Sequence, residues 1–525
     1  MRDFHLPGRS EVFATNGMCA TSHPLASKVA IDILQAGGNA VDAAIAGAAL
    51  LGVCEPQMCG IGGDCFVLIK PAGQEQVIAL NGSGRAPARL QAQSLRDRGL
   101  TAVPIGSVDA VTIPGAIDAF CTLSKDWGCA GLEASLAPAI HYAQEGVPVA
   151  PRVASDWAGS VDLLQGDARR FYLLDGQAPK VGQVFRAPKM AEVFQKVATQ
   201  GRAGFYEGAV GEDMQRSLQA MGGSHQMDDF AATKCSYDTP LSGAYHGIEL
   251  IEHPPNGQGA TAILLLNILS HFDIASMEPF GATRVHIEAE ATKLAYDARN
   301  RFVSDKTHMQ RLDYMLSPET AKKLAALINT QKAMGAPAAL TESVHRDTIY
   351  ITVIDKDQMM ASLIYSVFHS FGSGLASAEF GINFQNRGAG FTLEAGHPNE
   401  LGPNKRPMHT IIPGMLRKNG KVTTAFGVMG GSYQSTGHSR FVSNLVDFGM
   451  DAQAAIDGPR AFSDHDGLRL ERGYSSRVAD ELSNLGHKVI APPEAIGGAQ
   501  SIQVIEDGVL CGASDPRKDG CALGY

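Results

Sequence analysis

A threonine hydroxyl attacks an amide only when a base takes its proton. One such base is the threonine's own α-amine, freed when the peptide bond before it is cut. A threonine of this kind should open a rigid strand and follow a segment that can be cut. Thr348 meets both conditions. Residues 331–346 are alanine-rich, polar and weakly periodic, and read as a mobile surface segment. Thr348-Ile349-Tyr350-Ile351-Thr352-Val353-Ile354-Asp355 is rich in β-branched residues and reads as a strand. Lys356-Asp357 turns it into a second strand, giving a hairpin. The Asp347–Thr348 bond is therefore the candidate cleavage site and Thr348 the candidate nucleophile.

Other chemistries are spelled less well. Gly60-Ile61-Gly62-Gly63 runs from helix to strand, the reverse of a nucleotide loop, and reads as a turn where backbone passes close to another element. Gly437-His438-Ser439-Arg440-Phe441 lacks the last glycine of a serine-hydrolase elbow. His286-x-Glu288 and Asp464-His465-Asp466 do not offer three spaced ligands, so no metal or other cofactor is expected.

Helices and strands must position the junction. After Thr21-Ser22-His23-Pro24, residues Leu25, Val29, Ala30, Ile33 and Leu34 give one apolar helical face, with Ser22 as a candidate cap and Gly37-Gly38 as the helix end. Asn39 opens a second helix, made of small residues, that runs to about Leu51 and is apolar all round, as a buried helix is. Residues 133–220 read as mostly helical. Residues 286–302 read as an amphipathic helix, and Pro318–Thr330 as another with Ser317 at its cap. Among 525 residues, 44 are Lys or Arg and 54 Asp or Glu, a net −10 without a like-charge run, which argues against bulk nucleic-acid binding. Glycine is frequent at 58 residues, as suits many tight turns. Nine cysteines without CxxC spacing read as reduced thiols. The first 24 residues lack a signal-peptide pattern, and Ala40–Val53 is too short to span a bilayer, so a soluble cytoplasmic protein is expected.

Matches along nearly the whole chain resemble the γ-glutamyltransferase family of N-terminal-nucleophile (Ntn) hydrolases. They include Gly38-Asn39-Ala40-Val41-Asp42-Ala43-Ala44, Glu55-Pro56 with Gly60-Ile61-Gly62-Gly63, and Pro114-Gly115. Further on come Gly204-Phe205-Tyr206-Glu207-Gly208, Glu290-Ala291-x-Lys293-Leu294-Ala295-Tyr296, Thr348 with Val353 to Asp357, Phe371-Gly372-Ser373-Gly374, Gly430-Gly431-Ser432 and Asp515-Pro516-Arg517-x-Asp519-Gly520. The resemblance implies an α+β fold, a four-layer αββα sandwich. It also implies a precursor that cuts itself before Thr348 into residues 1–347 and 348–525, two subunits paired as a heterodimer around one continuous domain. Thr348 matches the nucleophile, Gly430 and Gly431 the oxyanion pair, and Ser366 a second hydroxyl near the nucleophile.

The departures bear on substrate. Where γ-glutamyl enzymes read N-N-[EQ]-M-D-D-F, this chain reads Gln385-Asn386-Arg387-Gly388-Ala389-Gly390-Phe391. Gly390 replaces the amino-binding aspartate, Phe368 an asparagine, and His409 and Thr410 the paired serines that meet the α-carboxylate. A site that loses an anion and gains a guanidinium suits a carboxylate. Arg387 is one candidate for holding it. Arg85, in Asn81-Gly82-Ser83-Gly84-Arg85-Ala86-Pro87, lies near the family's carboxylate-binding arginine and is another. The resemblance thus implies a small anionic amide as substrate, with oxamate, from purine breakdown, as the expectation. A γ-glutamyl peptide hydrolase or acylase of the same family is the alternative. An unprocessed, non-catalytic binding protein is the alternative of another class.

Overall fold

The computed structural model describes residue 5, residues 8–335 and residues 348–525. Asp347 and most of the segment expected to be mobile lie outside the described residues.

Two seven-stranded sheets form the centre. In the first, the hairpin Ile349–Ile354 and Met360–Ser366 lies between Met18–Thr21 and Asp64–Lys70, in antiparallel register with both. In the second, Lys421–Met429 pairs with Pro413–Lys418 on one side and Gly498–Val504 on the other.

Strand alternation sorts the first sheet into two faces. Ile349, Ile351, Val353, Leu363, Tyr365, Cys65 and Val67 point outward into one core with the Pro24–Gln35 and Ala40–Cys54 helices. The alternate residues face the second sheet. Ile354, Met360 and Leu68 join Met415, Ala425 and Ile502 there, while Tyr350, Ile364 and Phe66 meet Ile411 and Met429. The second sheet's other face packs on the Gly259–Leu269, Ala282–Phe302 and Gln434–Val446 helices. The result is the expected α+β, four-layer αββα sandwich. Each fully buried Leu, Ile or Val contributes about 1.5–3 kcal/mol, so the three apolar interlayers dominate its stability.

Local differences have physical causes. The first helix starts at Pro24 but is capped by His23, whose Nδ1 accepts from the Leu25 N–H; Ser22 instead turns inward to donate to Glu55. Asn39 caps the second helix in a reciprocal box with Asp42, and that helix continues to Cys54. The Ala282–Phe302 helix is not one-sided. His286, Glu288, Glu290, Lys293 and Arg299 are all buried, because its polar residues pair inside: Arg284 with Glu288, and Lys293 with Glu290.

Candidate active site

The register of three adjacent strands builds the site. Tyr350, Ile364 and Phe66 form one cross-strand row beneath Met429 of the opposite sheet. One step toward the strand ends, the same alternation puts Thr348, Ser366 and Asp64 in the next row, on the same face. Asp64 is paired with Ser366 across the ladder, and Oγ1 of Thr348 donates to Oγ of Ser366 at 3.3 Å. All three are buried. Gly60–Gly63 leads into this row as the close backbone approach expected of it. A Cβ on Gly63 would lie 2.3 Å from the Ser366 carbonyl oxygen, and one on Gly62 would lie 2.0 Å from that of Asn383.

Ser366 Oγ is a junction. It also accepts the Phe368 N–H at 2.8 Å and Nη2 of Arg387 at 3.3 Å. Arg387 is fully buried on a short 3-10 turn, Arg387–Gly390. Its Nη1 donates to Oγ1 of Thr410 at 3.1 Å, and its guanidinium lies 3.9 Å over the Phe368 ring. Phe368 adopts a left-handed φ of 85°, a strained conformation for a bulky residue that lays its ring beneath the guanidinium.

His409 lies on the opposite wall. Burial first, then the nearby Arg387 charge, pull its pKa down to about 3. It is thus neutral near pH 7, and its partners fix the tautomer: Nδ1 accepts the Ile411 N–H, and Nε2–H donates to Asp64 at 3.1 Å. The other oxygen of Asp64 accepts from Gly84 N–H, Gly115 N–H and Nε2 of Gln385. Asp64 thereby ties the row of Thr348 and Ser366 to the loop that carries Arg387. Sequence reasoning did not assign Asp64 a role, although its position in the strand puts it on the same face as Phe66.

Gly430 and Gly431 follow the Lys421–Met429 strand, with φ of 121° and 56°. Their N–H groups open a short 3-10 turn, where no preceding turn supplies a carbonyl to take them. The Gly430 carbonyl accepts the Tyr433 N–H, so the Gly431 N–H, on the far side of the same peptide plane, is held the other way. Thr348, Ser366, Arg387, His409 and Thr410 are thus linked through direct contacts and through Asp64, with the glycine pair at the end of the facing strand. Arg85 stands apart. Its side chain is 44% exposed and binds Asp305 and the Asn404 carbonyl.

The remaining motifs have structural partners. Ser439 lies within a helix and donates to the Ala262 and Ser435 carbonyls. His286, Glu290 and His487 cluster in the interior, but His286 binds His487 and the Asn329 carbonyl, and Glu290 binds Lys293 and the Met334 N–H. Arg469 bridges Asp464 and Asp466.

The gamma-glutamyltranspeptidase family model matches residues 26–525. The chain belongs to this family. It is an Ntn-type amide hydrolase, from a family of proenzymes that process themselves into two paired subunits. The chain is 34% identical to the glutathione hydrolase-like YwrD proenzyme of Bacillus subtilis, with 98% of this chain and 99% of that one covered. It is 32% identical to the oxamate amidohydrolase proenzyme of Klebsiella pneumoniae, again with 98% and 99% covered. The cephalosporin acylase structure from Bacillus halodurans superposes with a TM-score of 0.93 at 36% identity, covering 100% of this chain and 99% of that one. No described helix of this gamma-glutamyltranspeptidase family member is long and apolar enough to cross a membrane.

Proposed function

We propose that Thr348, freed by cleavage of the Asp347–Thr348 bond, hydrolyses oxamate to oxalate and ammonia. In this reading the large subunit is residues 1–347 and the small subunit residues 348–525. Thr348 Oγ1 attacks the amide carbon and passes its proton to the α-amine. The N–H groups of Gly430 and Gly431 stabilise the oxyanion that forms. The C–N bond breaks, ammonia leaves with the proton, and an oxalyl ester remains on Thr348. Water then adds to the ester, releasing oxalate and restoring the hydroxyl.

One observation carries the reading. Arg387 Nη2 and Thr348 Oγ1 share Ser366 Oγ as hydrogen-bond partner, each at 3.3 Å. A carboxylate held by Arg387 therefore sits beside the nucleophile. In oxamate the carboxylate is bonded to the scissile carbonyl carbon, whereas a γ-glutamyl substrate separates its α-carboxylate from that carbon by a longer chain. The resemblance to an oxamate amidohydrolase proenzyme supports the same substrate. Arg85, half-exposed and engaged by Asp305, is the weaker carboxylate partner. The nine unpaired cysteines support a reducing, cytoplasmic setting.

A second reading, an acylase or γ-glutamyl peptide hydrolase, draws on the similarity to the glutathione hydrolase-like proenzyme and to the cephalosporin acylase structure. Ammonia release from oxamate, measured against glutathione and glutaryl amides, separates the two. Absence of ammonia from millimolar oxamate with processed enzyme overturns the first reading. A single uncut chain after long incubation points to the non-catalytic alternative.

A further inference from the structure

Gln258 is fully buried, immediately before the Gly259–Leu269 helix, and none of the site motifs includes it. Its side-chain amide reaches both walls of the site. Nε2 donates to the Thr410 carbonyl at 2.6 Å and to the Gly431 carbonyl at 3.2 Å. Oε1 accepts from Nη1 of Arg299 at 2.9 Å. The orientation of the amide is not arbitrary. A guanidinium can only donate and carbonyls can only accept, so a flipped amide would set like groups against all three partners. Arg299 is itself held, with its guanidinium 4.3 Å over the Tyr296 ring. The Tyr296 hydroxyl donates to the Ser432 carbonyl, beside Gly431.

We infer that Gln258 is a positioning residue that sets the spacing between the oxyanion turn at Gly430–Gly431 and the wall where Thr410 meets Arg387. This inference rests on the proposed roles of Gly431 and Arg387. Gly431 has a left-handed φ, and its carbonyl accepts the Gln434 N–H from the turn itself. The Gln258 amide adds a donor from outside the turn. Its second proton ties the turn to residue 410, whose hydroxyl meets the guanidinium. Arg387 is also held by Ser366 Oγ and by the Phe368 ring. Loss of the amide should therefore misplace the oxyanion donors while leaving substrate capture largely intact.

The test uses the full-length, self-processed enzyme and two variants, with oxamate, glutathione and a glutaryl amide as substrates. Gln258→Met, close in shape but without the hydrogen bonds, should lower kcat by roughly 10- to 100-fold and change KM by less than about threefold. Gln258→Glu should lose kcat at high pH, where a carboxylate oxygen faces two carbonyl oxygens. It should regain part of it as the pH falls and a protonated carboxyl can donate to one of them, with a pH profile unlike that of the parent. If Gln258→Met does not fold, the Gln258→Glu profile decides. The inference is overturned if either variant keeps kcat within twofold of the parent at every pH, or if the whole loss appears in KM. Failure of the oxamate reading looks different. The parent enzyme then leaves oxamate intact, and the kcat comparison is made on whichever of the other two amides it cleaves.

Discussion

Oγ1 of Thr348 and Oγ of Ser366 lie 3.3 Å apart across two neighbouring strands, and the same serine oxygen accepts from Nη2 of Arg387. One hydroxyl therefore stands between the candidate nucleophile and a buried positive charge. A hydroxyl oxygen has two lone pairs and here receives three donors, counting the Phe368 N–H. If the bond before Thr348 is cut, proton transfer from Thr348 to its freed amine removes one of those donors.

Thr348→Ala should abolish both processing and activity. The parent chain of 55.5 kDa should yield fragments of about 37 and 19 kDa if the cut precedes residue 348. The variant should run as one band on a denaturing gel. Two bands from Thr348→Ala would move the cleavage site elsewhere.

Arg387→Lys should raise KM for oxamate by about tenfold or more, roughly 1.4 kcal/mol, because an ammonium cannot reproduce the fork that spans Ser366 and Thr410. Arg85→Lys should change it little. Steady-state kinetics on both variants distinguish the two arginines, and the reverse ranking would transfer the carboxylate to Arg85.

Gly390→Asp should not recreate a γ-glutamyl enzyme. A Cβ at this position would lie 2.8 Å from the Met408 carbonyl oxygen, so the backbone must move before any side chain fits. The expected cost is about 1–3 kcal/mol, seen as a lower Tm, without new glutathione hydrolysis. A stable variant that gains that activity would show that the 387–390 turn has room to rebuild.

Glu55, from the Glu55-Pro56 motif, gives a pH signature. Burial pushes its carboxyl up to about 7 from an ordinary 4.5, against the opposing hydrogen bond from Ser22. The folded protein then holds a proton that the unfolded chain has released between those values. The stability contributed by Glu55 is full below about 4.5, declines as pH rises, and is lost above about 7. Urea unfolding at pH 5 and pH 8 should show a larger decline for the parent than for Glu55→Gln. Equal declines would assign the pH dependence to other groups.

The sequence by itself determined the elements and their chemistry. Periodicity marks the Ala40–Cys54 helix as buried, because small apolar residues leave it no polar face, and β-branching marks Ile349–Ile354 as a strand. Ordered motifs along the chain carry the family. Only the tertiary structure decided which residues meet. Asp64 and Ser366 are about 300 positions apart in sequence and face each other through strand register, which no local pattern encodes. Arg387 and Arg85 are equivalent as letters, yet one is buried over Phe368 and the other binds Asp305 near solvent. Gln258 lies beside no motif, and its importance comes from two carbonyls brought to it by separate segments of the chain. Spacing along a chain fixes local geometry, but hydrogen bonds between distant strands and loops exist only once the two sheets have packed.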